Sequence, residues 1–153
     1  MLVETILSQN TSAANSTAGY RQLRRRFRSW NQVADAPVEE VERHIRVSGL
    51  SKQKAPRIQA ILRQIRADHG KINLQHPQQL DEEAAYDHLR RFKGVGPKTA
   101  HCTLLFAFGM ATFPVDTHIH RIALRLGLIP PRTTAEEAAI PRARVCATPP
   151  ITG

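Results

Sequence analysis

The fold of this chain is decided by the stretch Leu89-Arg-Arg-Phe-Lys-Gly94-Val95-Gly96-Pro97-Lys98-Thr99-Ala100. Apolar residues at helical spacing lead up to Gly94, and Pro97 suits the first turn of a second helix. The pattern predicts two helices joined by a tight hairpin, with Val95 plugged into the core. Because Gly94 and Gly96 have no side chains, backbone amides at the positive end of the second helix can bind an anion such as phosphate. The alternative is an ordinary tight turn between two helices.

Two ionisable residues accompany the hairpin. Lys98 lies on the first turn of the second helix, where the positive helix end and partial burial disfavour an ammonium, so its amine is a candidate nucleophile. The alternative is a lysine that contacts a phosphate. Asp116 follows Pro114-Val115 as the expected N-cap of a third helix, from which its carboxylate can face Lys98 in a cleft. There it can stabilise positive charge or assist proton transfer.

Helical segments separated by caps, prolines and glycines make up the rest of the chain. We place them at about 12–28, 37–49, 52–69, 81–91, 97–108 and 116–126. Thr11 or Ser12 is expected to cap the first, and Asp35 to cap the second ahead of Pro37. The pattern predicts no strand. It indicates an all-α fold, an orthogonal helical bundle.

The two ends of the chain differ from this pattern. Residues 1–8 have the character of the end of a helix whose beginning is missing, and a helix starting at Thr134 is interrupted by Pro141. Residues 139–153 have no helical periodicity, which is typical of a disordered tail. We therefore expect one domain over 1–138, incomplete at both ends, followed by an irregular tail over 139–153.

The composition favours a polyanionic partner and excludes several classes of protein. The 22 Lys+Arg against 13 Asp+Glu give a net charge of +9, which favours nucleic acid. The Arg21–Arg28 cluster is either a solvated helix surface or a non-specific contact to that partner. No apolar run approaches the ~20 residues of a membrane span, and no secretory signal is evident, so we expect a cytoplasmic protein. Cys102 and Cys146 provide neither a disulfide framework nor a metal site.

These motifs together resemble one known family. Gly94-Val95-Gly96-Pro97-Lys98-Thr99-Ala100 and Val115-Asp116-Thr117-His118 match the helix-hairpin-helix and Gly-Pro-Asp region of the endonuclease III-like DNA glycosylases, including their spacing. Ile6-Leu7-Ser8-Gln9-Asn10-Thr11 and Gly49-Leu50 with Lys54-Ala55 resemble further segments of that family. The resemblance covers about residues 1–138 and implies the helix-hairpin-helix catalytic core of a DNA glycosylase.

The resemblance implies an activity and a partner. Members of the family flip a damaged base out of duplex DNA, because its C1′ is unreachable in the stack, and cut the glycosidic bond. By similarity, Lys98 would form a Schiff base at C1′ and support AP lyase activity, with Asp116 as the essential carboxylate. The expected substrate is double-stranded DNA that contains a damaged base, a mismatched base or an abasic site. Among damaged bases, an oxidised pyrimidine is expected above all. The alternative is a non-catalytic helix-hairpin-helix DNA-binding protein or an inactive truncated paralogue.

The resemblance also implies a set of DNA contacts. A polar side chain of the family's Leu-Ser-x-Gln segment fills the gap left by the flipped base. That place falls on Asn10, with Gln9 adjacent. The residues expected to contact DNA are Gln9, Asn10, Lys54, Gly94, Val95, Gly96 and His118.

One feature of the family is missing from this sequence. Full-length relatives usually carry a four-cysteine iron–sulfur loop after the region that corresponds to Glu136–Ala139, and such a cluster needs four thiolates. This chain has two cysteines, only one of which, Cys146, lies in that part. We therefore expect no metal and no cofactor, and a protein that acts as a monomer.

Overall fold

The structure is a computed structural model that describes residues 2–73 and 79–139. Within these two ranges the regular secondary structure is helical, and no strand is present. The helices are α1 (Leu2–Leu7), α2 (Ala13–Arg26), α3 (Trp30–Asp35), α4 (Val38–Ile45), a 3₁₀ turn (Arg46–Ser48), α5 (Ser51–His69), α6 (Glu82–Arg90), α7 (Pro97–Phe108), α8 (Thr117–Arg125) and α9 (Ala135–Ala138). The all-α prediction is confirmed. The break expected at Pro141 and the expected tail from residue 140 onward lie outside the described residues.

The first long helix begins and ends close to its predicted bounds. The Ser12 side chain accepts a hydrogen bond from the amide of Asn15, so Ser12 rather than Thr11 caps α2. The helix ends at Arg26, and Phe27 is already extended. Two members of the arginine cluster are engaged in contacts: Arg24 lies over the Trp30 ring, 4.7 Å from its centroid, and Arg26 pairs with Glu40 at 2.6 Å.

The prediction that Asp35 caps a helix was wrong. Asp35 is the last residue of α3, a short helix that the sequence interpretation missed, and Pro37 occupies the N-cap position of α4. Ser29 and Gln32 form a capping box at the start of α3, which is the local signal that could have revealed it. Asp35 instead pairs with Arg66 of α5 at 2.8 Å.

In the core, α3 and α4 pack on α5, α1 packs on α2, α5 and α7, and α7 packs on α6. One face of α5 is buried throughout, through the apolar residues Ile58, Ile61, Leu62 and Ile65. Val95 and Ala100 are also buried, which confirms that the hairpin is plugged into the core. Since α1 contacts α2, α5 and α7, the end of α1 is held beside the hairpin between α6 and α7.

Several large apolar side chains near α8 in the sequence are exposed. None of the residues of α8 is buried. We call the following exposed side chains around α8 the apolar face: Phe106, Phe113, Ile119, Ile122, Leu126 and Leu128.

Along residues 2–73 and 79–139, no helix combines the length and the apolar character that crossing a membrane demands.

Candidate active site

The hairpin between α6 and α7 is closed by its own backbone. The Val95 amide donates to the Phe92 carbonyl at 3.0 Å, and Arg90 Nη1 donates to the Val95 carbonyl at 3.0 Å. Because its amide is already bonded and its side chain is 2% exposed, Val95 has no group left to offer a phosphate. The prediction that Val95 contacts DNA is corrected: Val95 anchors the hairpin.

The backbone amides of Gly94 and Gly96 differ from that of Val95, which is already hydrogen-bonded. Neither Gly94 nor Gly96 donates its backbone amide to any residue that the structure describes. Helix α7 starts at Pro97 without a side-chain cap, so its positive end faces outward at Gly96. A Cβ built on Gly96 would meet nothing within 4 Å. The fold therefore leaves an open space beside unbonded amides, which suits an anion.

Lys98 and Asp116 face each other next to this space. Lys98 Nζ lies 3.7 Å from Asp116 Oδ2, and their side chains are 59% and 29% exposed. The expected proximity of the two groups is therefore present. The expected partial burial of Lys98 is wrong, because the first turn of α7 projects its side chain into solvent.

Asp116 divides its carboxylate between two partners. Its Oδ1 accepts hydrogen bonds from the amides of His118 and Ile119, which makes it the N-cap of α8, as predicted. The amide of Ile119 is the main cause that lowers the pKa of Asp116, and the charge of Lys98 lowers it further. Asp116 is therefore ionised at neutral pH, and its Oδ2 remains directed toward Lys98.

The turn after α1 separates the roles of Gln9 and Asn10. Gln9 Nε2 donates to Thr99 Oγ1 at 3.0 Å, and Gln9 Oε1 accepts from Arg57 Nη1 at 3.0 Å. The Gln9 side chain is thus held against the start of α7. Asn10 is exposed in the left-handed region at φ 52, at the outer point of the turn. Of these two neighbours, Asn10 is the one free to reach outward.

Arg57 is a residue of this site that sequence reasoning missed. Its side chain lies directly against Gly94, which adopts φ +90 and has no Cβ to obstruct it. In the sequence, Arg57 stands out only as a basic residue three positions after Lys54, which is compatible with any charged surface position. Nothing in the local pattern of α5 indicates a contact with a hairpin that lies far along the chain.

Lys54 is placed where it cannot act as predicted. It is 1% exposed, and its ammonium donates to the Leu7 carbonyl at 2.8 Å and to the Ser48 carbonyl at 2.6 Å. Burial lowers the pKa of Lys54, and the nearby charge of Arg57 lowers it further. The prediction that Lys54 contacts DNA is corrected: it joins α1, the 3₁₀ turn and α5.

The histidines near the site differ in their surroundings. His118 is exposed on the first turn of α8, with Nδ1 3.4 Å from Arg121 Nη2. His101 is buried and hydrogen-bonded to the Thr112 hydroxyl, and burial lowers its pKa. His101 therefore supports the loop after α7, while His118 is available at the surface.

The described residues do not fit an iron–sulfur cluster. Cys102 is the one cysteine within 2–73 and 79–139, it lies inside α7, and burial raises the pKa of its thiol. In the same ranges, no group of three or more histidine, cysteine or acidic side chains is arranged to hold a metal ion. A cluster needs four thiolates at close spacing, and this arrangement offers one.

Comparison with known proteins assigns the chain to a family. The description "HhH-GPD superfamily base excision DNA repair protein" matches residues 3–147. The chain belongs to this superfamily. In this chain α6, the Gly94–Gly96 hairpin and α7 form a helix-hairpin-helix that lies within the matched residues.

Similar proteins include curated relatives and a solved complex. An Arabidopsis thaliana protein named "Putative DNA glycosylase At3g47830" is 40% identical over 129 residues, which are 84% of this chain and 44% of that protein. Endonuclease III of Thermotoga maritima is 35% identical over 136 residues, 89% of this chain and 60% of the relative. The structure of a non-covalent endonuclease III–DNA complex is similar at a TM-score of 0.74 and 30% identity, covering 90% of this chain and 60% of that one. The chain thus spans less than two thirds of each of these proteins.

Proposed function

We propose that this chain is a DNA N-glycosylase with AP lyase activity, which removes a damaged or mismatched base and then nicks the strand. The observation that carries the proposal is the pair of Lys98 Nζ and Asp116 Oδ2, 3.7 Å apart beside the open amides of the hairpin. A helix-hairpin-helix that only binds DNA requires those amides but neither of these side chains.

The proposed partner is duplex DNA. A backbone phosphate would lie against the amides of Gly94 and Gly96, a contact that positions the protein without reading sequence. The net charge of +9 on the protein would attract the negatively charged phosphates of the duplex, whatever the base sequence. His118 at the surface of α8 would add a phosphate contact. Asn10, at the outer point of its turn, would fill the gap left by the flipped base.

The first chemical step would break the glycosidic bond. The Asp116 carboxylate accepts a proton from Lys98, which frees the amine to attack C1′ of the flipped nucleotide. The C1′–N bond breaks, and the base leaves with the bonding electrons and takes up the proton that Asp116 had accepted, which restores the carboxylate. The Asp116 carboxylate then stabilises the positive charge that develops at the sugar.

The second step would cut the strand. Opening of the sugar ring gives a protonated Schiff base between Lys98 and C1′, which makes the C2′ hydrogen acidic. Transfer of that proton to water forms a C2′–C3′ double bond and breaks the C3′–O bond, so that the 3′ phosphate leaves by β-elimination. Water then hydrolyses the Schiff base and returns the Lys98 amine. These steps use only groups of the chain, its DNA substrate and water, and we propose that the chain performs them as a monomer without a cofactor.

Borohydride trapping tests the proposal. Borohydride reduces a Schiff base to a stable amine, so the wild-type protein should become covalently joined to a duplex with an abasic site. Lys98→Gln should give no adduct while keeping its affinity for the duplex, since the hairpin amides are unchanged. A folded wild-type protein that binds the duplex and forms no adduct would contradict the lyase proposal.

A second candidate function is phosphate binding without chemistry. It is favoured by the exposure of Lys98, whose side chain is 59% exposed and therefore accessible to a phosphate oxygen. A pure binding protein would show equal affinity for intact and damaged duplexes, with Lys98→Gln weakening both. Assays on duplexes that each carry one oxidised pyrimidine or one mismatch would identify the base class if excision occurs.

A further inference from the structure

Arg57 occupies a position at the hairpin that neither the proposed chemistry nor the phosphate contact explains. It projects from α5, and its side chain lies so close to Gly94 that a Cβ there would clash with Arg57 Cδ and Nε. The positive φ of Gly94 and its missing side chain together make this approach possible. The planar guanidinium therefore packs directly on the hairpin backbone.

A continuous chain of hydrogen bonds leads from Arg57 to the helix that carries Lys98. Arg57 Nη1 donates to Gln9 Oε1, and Gln9 Nε2 donates to Thr99 Oγ1, each at 3.0 Å. Both ends of the Gln9 amide are used, so its orientation is fixed. Gln9 immediately precedes Asn10, and Thr99 immediately follows Lys98.

We propose that Arg57 is a positioning residue that fixes the Asn10 turn relative to the hairpin and the Lys98 helix. The inference rests on the proposed function, because it assigns Asn10 to the opened base-pair site and Lys98 to C1′. Arg57 touches neither DNA nor the reacting atoms in this scheme. It acts through Gln9 and Thr99.

The geometry favours this role over a direct phosphate contact. Arg57 directs Nη1 at a neutral amide oxygen inside the protein, and the side chain is half-buried. The contacts join residues 48 and 90 positions apart, so three segments are held in one arrangement. Such an arrangement matters for chemistry, because displacing a reacting group by about 1 Å can reduce a rate about a hundredfold.

The test uses variants that break the chain of hydrogen bonds at both ends. Arg57→Met removes the guanidinium with a side chain of similar length, and Arg57→Lys keeps the charge but not the fork. Thr99→Val removes the acceptor for Gln9 and changes no charge. Lys71→Ala, at an exposed position beyond the far end of α5, is the matched control for loss of one positive charge.

Two measurements decide the outcome. The first is the single-turnover rate of Schiff-base trapping at saturating protein. We expect Arg57→Met and Thr99→Val each to lower it about tenfold, the double variant to lose no more than the larger single loss, and Lys71→Ala to match wild type. The second is the dependence of duplex affinity on salt, which Arg57→Lys and Thr99→Val should leave unchanged.

The opposite result would assign Arg57 to the phosphate backbone. In that case Arg57→Met would lower the salt slope by about one, and Thr99→Val would have no effect on rate. Wild-type rates in both Arg57→Met and Thr99→Val would equally overturn the proposal.

A further readout separates this inference from the proposed chemistry. 2-Aminopurine placed opposite a non-cleavable abasic analogue reports opening of the duplex without any reaction. Arg57→Met and Thr99→Val should reduce its fluorescence change on binding by the same factor, with melting temperatures tracked in parallel. If the wild type opens the duplex but never forms an adduct, the lyase proposal fails while the inference stands. An equal fluorescence change in wild type and both variants would overturn the inference.

Discussion

Asp116 uses its two carboxylate oxygens for different contacts. Oδ1 accepts from the amides that begin α8, and Oδ2 faces Lys98. Capping fixes the carboxylate in place without a second set of supporting side chains, because the backbone itself holds it. A residue that starts a helix can in this way also present a fixed charge to a cleft.

Replacing Asp116 separates these contacts. Asp116→Asn keeps an oxygen acceptor for the cap but loses the charge, so it should cost only about 0.3–1 kcal/mol of unfolding free energy. Asp116→Ala should cost about 1 kcal/mol or slightly more, since it removes the cap as well. Both should abolish Schiff-base trapping. Chemical denaturation and trapping measure the two effects, and an active Asp116→Asn protein would contradict the proposed role of the charge.

The lowered pKa of Asp116 also fixes the sign of a pH dependence. The folded-state pKa lies below the ordinary value of 3.8, so the native contacts stabilise the protein fully above that value and are lost as the pH falls through the lower folded pKa. The stability difference between wild type and Asp116→Asn should thus be constant at neutral pH and shrink in acid. Denaturation curves across that range provide the check.

Lys54 is the buried cation of the domain, and its substitution has a different expected result. Lys54→Met leaves the carbonyls of Leu7 and Ser48 without their donor, which should cost about 2 kcal/mol or more. Because burial lowers its pKa, wild-type stability should rise, relative to Lys54→Met, as the pH climbs from the folded pKa toward 10.5. The salt dependence of DNA affinity should not change, and a reduced slope would restore Lys54 as a DNA contact.

The hairpin shows why two glycines two residues apart have different functions. Gly94 adopts φ +90 and gives room to Arg57, so the fold itself requires it. Gly96 has φ −83 and ψ 175, which any residue adopts, and open space where a Cβ would lie. The fold therefore does not need glycine at Gly96, whereas a phosphate approaching the backbone does.

Alanine substitution distinguishes these two glycines. The free energy of unfolding of Gly96→Ala should lie within about 0.5 kcal/mol of the wild-type value. The variant should nevertheless bind duplex DNA of any sequence more weakly. Gly94→Ala should lose about 1–3 kcal/mol of stability through backbone strain. Thermal melting and binding titrations at several salt concentrations are the measurements. Unchanged affinity in Gly96→Ala would place the phosphate elsewhere.

The domain as a whole combines a well-filled interior with an uncovered apolar face. The core around α5 is continuous, while Phe106, Leu126 and Leu128 of the apolar face are each more than 60% exposed. Large apolar side chains exposed in this way favour association with other apolar surfaces. It adds nothing to the stability of the described residues themselves.

Polar substitution on the apolar face should therefore have little effect on folding. The pair Ile122→Gln and Leu126→Gln should keep the unfolding free energy within about 0.5 kcal/mol of wild type. The same pair should lower the fluorescence of a dye that binds exposed apolar surface. Ile65→Gln is the contrasting control, since Ile65 is 2% exposed and its loss should cost about 2–5 kcal/mol. A large loss of stability in the pair would mean that this face is buried.

Local signals in the sequence were sufficient for most of the architecture. The hairpin, the all-α class and most helix bounds follow from caps, glycines and periodicity, because these act within about four residues. The approach of Lys98 to Asp116 was also predicted, from the place of Lys98 on the first turn of α7 and of Asp116 at the N-cap of α8. The short helix α3 was missed, because its capping box gives a weaker signal than the Asp35-Ala-Pro37 sequence beside it.

The amino-acid order alone thus predicted most of the helices, the hairpin and the resemblance of this chain to its family. Only the tertiary structure shows that Lys54 is buried in the core, that the Val95 amide is already hydrogen-bonded and that Arg57 packs against Gly94. The contacts of Lys54, Arg57 and Gln9 join residues 47, 48 and 90 positions apart. The same basic or amide side chain is a surface group or a buried link depending on what the rest of the fold brings beside it, and no local pattern encodes that.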